Sequence, residues 1–163
     1  YYGSESLKSI DEWLDDYGKS HKNPLNKKIH WICVPAIMFS VVGLLFSIPH
    51  DYFPFVYGII QINWGFIVIA LVITYYLRLS VSMGIGMTFI SVLLVIGNHA
   101  IELYSTIGLW KISILIFIIA WIAQFIGHKI EGKKPSFFQD IQFLLIGPAW
   151  LLSFIYKKYG IKF

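Results

Sequence analysis

The chain has 163 residues, of which 57% are hydrophobic and only 13% are charged, and its formal net charge is +4. A soluble domain of this size carries about 25% charged residues, so the composition excludes an ordinary soluble domain and indicates an integral membrane protein. The lysines that supply the charge lie in connecting segments, without the interleaved aromatic residues of a nucleic-acid surface. We therefore expect one membrane domain, residues 1–163, that has the lipid bilayer as a partner and binds no nucleic acid. The sequence does not indicate its oligomeric state.

The N-terminal segment, residues 1–30, is polar and is expected on the cytoplasmic side of the membrane. Within it, residues 5–17 predict a short amphipathic helix at the membrane surface, because apolar residues recur there at helical spacing. Asn23 and Pro24 then predict the start of the next helix, since asparagine is a favoured cap and proline suits the first helical position.

Five apolar segments follow, and they predict an all-α, polytopic helical bundle. Four of them approach the ~20 residues that a spanning helix needs: about 31–48, 55–77, 82–105 and 110–130. The fifth, 137–156, is interrupted by Gly147-Pro148 and predicts either a kinked span or a re-entrant pair of half-helices.

Lysine and arginine placement predicts the orientation of this bundle. These residues precede the first span, follow the second and fourth spans, and end the chain: Lys8, Lys19, Lys22, Lys27, Lys28, Arg78, Lys133, Lys134, Lys157, Lys158 and Lys162. Because cytoplasmic loops carry an excess of basic residues, we expect the N-terminus, the 131–135 turn and the C-terminus to be cytoplasmic. The membrane would be a bacterial inner membrane or the endoplasmic reticulum.

A polar stripe ends the fourth predicted span. Gln124, His128 and Glu131 stand at i, i+4 and i+7, so they share one helical face at the edge of the hydrocarbon region. Ionisable groups at this depth are costly to keep, and they mark a candidate functional site.

Two further histidines are expected at the same end of the bundle. His21 and His30 stand nine positions apart, on opposite sides of a straight helix, but a bend before Pro24 would let both rings approach one point. Topology then allows them to meet His128. Asn26 lies four residues before His30 on the same face and is expected to orient its ring.

The remaining histidines are expected elsewhere. His50 lies in the outer connection and should be solvated. His99 lies about 27 Å along the third span, where Asn98 and Glu102 suggest hydrogen bonding between helices. Whether His99 or Asp140 adds a further ligand is left open.

Three neutral imidazoles with open coordination positions suit iron(II) or zinc. The chain has no His-Glu-x-x-His motif, so a zinc protease would lack its general base. Five histidines are too few for the di-iron site of the membrane desaturases. The alternative interpretation is a non-enzymatic membrane protein: a transporter, or a metal- or haem-binding scaffold whose polar residues line a path.

Two motifs together resemble the 2-hydroxy-fatty-acid dioxygenase family, whose eukaryotic members act in phytosphingosine breakdown in the endoplasmic reticulum membrane. The resemblance covers the chain from about Tyr17 to Trp150. The first motif is His21, Asn26, His30 and Val34-Pro35, and the second is Gln124 and His128 before a Lys-Pro turn that ends at Pro135.

The resemblance implies an iron(II)-dependent dioxygenase that performs α-oxidation. It would cleave the C1–C2 bond of a 2-hydroxy long-chain fatty acid with O₂, without 2-oxoglutarate, to give carbon dioxide and the acid one carbon shorter. The resemblance also implies that the iron ligands are His21, His30 and His128. By the same motif match, Asn26, Gln124 and Glu131 would support those ligands.

Overall fold

A computed structural model of the protein describes residues 9–19, 21–132 and 137–163, with the side chains of all of these except 137–144. The architecture is helical, as predicted, apart from one small hairpin. In chain order the elements are α1 (Ile10–Lys19), α2 (Pro24–Ser47), β1 (Phe55–Val56), β2 (Ile60–Gln61), α3 (Trp64–Leu79), α4 (Val81–Tyr104), α5 (Leu109–Ile130) and α6 (Phe137–Lys158).

Among the described residues, three helices are long and apolar enough to cross a membrane: α2, α4 and α5. The second predicted span, 55–77, corresponds to α3, which begins only at Trp64 and has 16 residues. At 1.5 Å per residue α3 is about 24 Å long, shorter than the hydrocarbon core of about 30 Å. The predicted count of four full-length spans is therefore reduced to three such helices and one shorter apolar helix.

The start of α3 was predicted wrongly because the residues before it pair as strands. β1 and β2 are antiparallel, and the turn between them contains Tyr57 and Gly58, both with positive φ. Asn63 then caps α3, since its side chain accepts hydrogen bonds from the backbone N–H groups of Gly65 and Phe66.

The first two helices are each begun by a local cap. Ser9 and Glu12 form a capping box, in which each side chain accepts a hydrogen bond from the other residue's backbone N–H, at 3.3 and 3.1 Å. The described part of α1 thus starts later than the predicted 5–17, and residues 1–8 lie outside the described range. At α2 the predicted cap is confirmed, because Asn23 accepts from the Leu25 N–H at 2.9 Å and Pro24 is the first helical residue.

Helices α2 and α5 pack along most of their length, and small residues allow their close approach. A Cβ atom added to Gly43 of α2 would lie 2.0 Å from Ser113 Oγ on α5 and 2.7 Å from Asn98 Oδ1 on α4. The Asn98 amide group donates to the carbonyl of Phe39 on α2 at 3.3 Å. Three apolar helices are therefore joined at a buried polar contact, as expected for Asn98.

Helix α6 lies across the end of the bundle at which α2 and α4 begin. Tyr76, near the end of α3, donates a hydrogen bond from its hydroxyl to the carbonyl of Leu145, and Tyr156 donates to the carbonyl of Ser82 near the start of α4. Of the two forms predicted for this segment, the structure has one continuous helix, with Pro148 inside it, rather than two half-helices.

This placement brings the C-terminal lysines to the end where the chain enters the bundle. Lys19, Lys22 and Lys157 line one groove between α1 and α6. The hairpin β1–β2 lies at the other end, because it joins the far end of α2 to the start of α3. The relative positions agree with the predicted orientation, whose absolute sidedness stays a prediction.

We expect Gly43→Ala to lower the free energy of unfolding by about 1–3 kcal/mol, because the added methyl group overlaps Ser113 and Asn98. The matched control is Gly18→Ala in α1, where the nearest atom to an added Cβ is Trp150 Nε1 at 3.6 Å. Thermal unfolding in detergent measures both variants. Adding Ser113→Ala to Gly43→Ala should restore part of the loss, and equal stability of the two glycine variants would contradict this packing.

We also expect cysteines placed at position 22 and position 158 to react with a membrane-impermeant thiol reagent from the same side of the membrane. A cysteine at position 57 in the hairpin should react from the opposite side. The native Cys33 is buried, so the unmodified chain gives the background. Labelling of Lys158→Cys and Tyr57→Cys from one side would show that α6 crosses the membrane.

Candidate metal centre

Two histidines meet at the start of α2. His21 lies in the bend after α1, His30 lies on the second turn of α2, and each side chain is only 1% exposed. Their ring centroids are 4.1 Å apart, and the two Nε2 atoms face one another at 2.9 Å. The bend before Pro24 thus brings together two residues that a straight helix would hold apart.

The backbone fixes which nitrogen of each ring carries hydrogen. His21 Nδ1 lies 2.6 Å from the carbonyl oxygen of Tyr17, and His30 Nδ1 lies 2.9 Å from that of Asn26. A carbonyl oxygen only accepts hydrogen bonds, so each Nδ1 donates and each neutral ring presents an unprotonated Nε2. The two lone pairs then face each other.

The facing nitrogens suit a bound cation. Burial, followed by the neighbouring His30, lowers the pKa of His21 to about 3, so this ring is neutral at physiological pH. Without a proton between them, two lone pairs at 2.9 Å repel, and a bound metal ion removes that repulsion. The donor set therefore fits a metal ion.

The spacing of the two nitrogens also fits a shared metal ion. Imidazole nitrogens bind divalent metals at about 2.1 Å, so two ligands at a right angle lie about 3.0 Å apart and two at the tetrahedral angle lie about 3.4 Å apart. The observed 2.9 Å matches the right angle. A spacing of this size suits two ligands of one divalent metal ion.

His128 lies on the last turn of α5 and points toward the pair. Its ring is 9% exposed, and its centroid lies 6.1 Å from that of His21 and 5.7 Å from that of His30. Within the described residues, no three His, Cys, Asp or Glu side chains stand close enough together to hold a metal ion as placed. The three predicted rings are gathered, while the ligand role of His128 stays a prediction.

Asn26 and Glu131 tie the end of α5 to the start of α2. Burial acts to raise the pKa of Glu131, but hydrogen bonds from the backbone N–H of Asn23 and the side chain of Asn26, together with nearby His21, lower it overall. The carboxylate is therefore ionised where it accepts the Asn23 N–H. This link holds the two histidine-bearing segments in register.

Asn26 needs a glycine opposite it. Its side chain is fully buried, and a Cβ atom on Gly127 of α5 would lie 2.3 Å from its Oδ1. Any larger residue at position 127 would push Asn26 away from α5. Because the Asn26 carbonyl holds the His30 ring, that shift would also move His30.

Gln124 presents an unused acceptor beside the pair. Its side chain is buried on α5, one turn before His128, and lies against His30. Its Oε1 finds no hydrogen-bond partner among the described residues. A buried amide oxygen left in this state costs about 1–3 kcal/mol, so the position favours a bound donor group.

Two further aromatic residues, which were not predicted from the sequence, lie against His21. The Tyr17 ring stacks on His21, with centroids 4.1 Å apart and planes 8° from parallel. Trp150 of α6 lies 5.3 Å from His21 and 5.0 Å from Tyr17. The spacing of Tyr17, four residues before His21, was an available signal, whereas Trp150 is distant in sequence and carried none.

The other predicted polar cluster lies at the opposite end of the bundle. His99 Nδ1 is 3.6 Å from Glu102 Oε2, and both side chains are partly exposed. They line a pocket with His50 and Gln61 of the hairpin region. His99 is thus far from the histidine pair, and the side chain of Asp140 lies outside the described residues.

Comparison with known proteins agrees with the motifs. The sequence profile of the family described as 2-hydroxy-palmitic acid dioxygenase Mpo1-like matches residues 7–159, and the chain belongs to this family. It is 27% identical over 156 residues to 2-hydroxy-palmitic acid dioxygenase MPO1 of Saccharomyces cerevisiae, a match that covers 94% of this chain and 83% of that protein. No solved structure matches the chain. The family predicted from the two motifs is confirmed.

We expect the protein, loaded anaerobically with iron(II), to hold about one iron per chain, and His21→Ala or His30→Ala to weaken binding more than tenfold. His128→Ala tests the third ligand by the same measurement. The control is His50→Ala at the other end of the bundle, whose Nδ1 also faces a backbone carbonyl, that of Ile48, at 2.8 Å. Elemental analysis after gel filtration gives the metal content, and undiminished iron in His21→Ala would remove the pair from the site.

Proposed function

We propose that the protein is an iron(II)-dependent dioxygenase that cleaves the C1–C2 bond of 2-hydroxy long-chain fatty acids. The observation that carries the proposal is the pair of unprotonated Nε2 atoms of His21 and His30, held 2.9 Å apart by backbone carbonyls. Membership of the dioxygenase family supports it. His128 would be the third ligand, leaving coordination positions for substrate and O₂.

The reaction balances without a cosubstrate. A 2-hydroxy acid and one O₂ give the acid one carbon shorter, one carbon dioxide and one water. The substrate supplies all four electrons that O₂ takes up, as C1 leaves as carbon dioxide and C2 becomes the new carboxyl carbon. Bound iron(II) would supply the redox chemistry and a template for the hydroxyl and carboxylate of the substrate.

The chain's own residues would bind and orient the substrate. The Gln124 side chain, beside the His30 ring, would accept a hydrogen bond from the 2-hydroxyl group. Lys19, Lys22 and Lys157 line the groove at this end of the bundle and attract a carboxylate. Asn26 and Glu131 would act as positioning residues, because they hold His30 and the start of α2.

The short distance between His21 and His30 disfavours the alternative of a haem-binding scaffold. Two histidines on opposite faces of a haem iron have their ligating nitrogens about 4 Å apart, given bonds of about 2 Å. The 2.9 Å between His21 and His30 leaves no room for a porphyrin plane between them.

The iron-loaded protein should consume O₂ with 2-hydroxyhexadecanoic acid and release pentadecanoic acid and carbon dioxide. Hexadecanoic acid should give no uptake, since it lacks the hydroxyl that helps bind the metal and supplies electrons. His21→Ala should abolish turnover and His50→Ala should preserve it. Absence of any shortened acid from the iron(II)-loaded wild type, across all chain lengths tried, would favour the scaffold or transporter interpretation.

A further inference from the structure

An apolar cavity of about 220 Å³ lies between α2, α3 and α4, and α6 lines one end of it. An engineered protein cavity of about 150 Å³ accepts benzene, so this space suits a stretch of hydrocarbon chain. Two hydroxyl groups in the lining are already paired: Ser91 donates to the carbonyl of Met87, and Tyr76 donates to that of Leu145. The cavity therefore favours a ligand without polar groups.

The cavity is elongated along the bundle. On α2 its lining runs from Ile37 to Leu45, a rise of about 12 Å, and on the antiparallel α3 it runs from Tyr76 to Val68. Pro148 of α6 lines the end nearest Ile37. The other end reaches toward the hairpin.

The end lined by Pro148 is the one nearer the histidine pair. Ile37 stands seven residues after His30, on the same face of α2. A Cβ atom added to Gly147, the residue before Pro148, would lie 3.5 Å from Val34 Cγ1 and 3.1 Å from the Tyr17 hydroxyl. Gly147 therefore packs against the ring stacked on His21, and the next residue, Pro148, lines the cavity.

We infer that this cavity holds the distal half of the acyl chain of the 2-hydroxy acid and that its far end sets the chain length. The inference rests on the proposed function, since it takes the carboxyl end of the substrate to lie at His30. From there to Leu45 the α2 axis rises about 22 Å. At about 1.3 Å per carbon, from C–C bonds of about 1.5 Å, that distance holds about 17 carbons.

The test narrows the far end of the cavity. Leu94→Trp on α4 should lower kcat/KM for 2-hydroxyhexadecanoic acid by about tenfold or more, because the terminal methylenes lose their buried site. Activity on 2-hydroxydecanoic acid should be retained. The matched control is Leu93→Trp, at a neighbouring residue that is 53% exposed and points out of the bundle, and it should behave as wild type.

A second pair of variants tests the same inference in case Leu94→Trp does not fold. Val68→Phe narrows the cavity from α3, and Leu71→Phe, at a residue that is 67% exposed, is its control. Equilibrium binding of radiolabelled 2-hydroxy acids to the metal-loaded, detergent-solubilised protein gives a readout independent of turnover.

The two readouts separate the two proposals. Turnover with an unchanged chain-length profile in both Leu94→Trp and Val68→Phe would overturn the cavity assignment and leave the dioxygenase function standing. Binding whose chain-length dependence shifts in these variants, with no shortened product from any protein, would support the cavity and refute the function.

Discussion

Inside the helical bundle, the Nε2 lone pairs of two histidines face each other. The other residues of the site are arranged around this contact. The repulsion between His21 and His30 would be small in water and is larger in the low dielectric of a protein interior. Several parts of the fold hold the rings there against it. The end of α1 supplies the Tyr17 carbonyl, the first turn of α2 supplies the Asn26 carbonyl, and α6 places Trp150 beside them. Under the proposed function, a bound cation would make this arrangement favourable.

Local signals in the sequence were enough to predict the entry to this site. The cap at Asn23 and Pro24 depends on the chemistry of neighbouring residues, and the spacing of Gln124 and His128 depends only on helical geometry. The helices α4 and α5 also begin and end close to the predicted limits, because their apolar runs are bounded by short polar connections.

The hairpin and the C-terminal helix were harder to predict, for different physical reasons. Most residues from Phe55 to Ile60 are β-branched or aromatic, so their hydropathy does not separate them from the apolar run that follows. The course of α6 depends on tertiary contacts, such as those that Tyr76 and Tyr156 make with distant backbone carbonyls. No local sequence pattern carries that information. The position of Trp150 beside the histidines was therefore not predicted.

The position of α6 also gives the site an order of assembly. Trp150 leaves the ribosome about 120 residues after His30, which at 5–20 residues per second is a delay of roughly 6 to 24 s. During that interval α2 is already made, while the helix that covers its histidine is still being synthesised. Under the proposed function, a metal ion could therefore reach the histidine pair during synthesis, before the last helix docks over it.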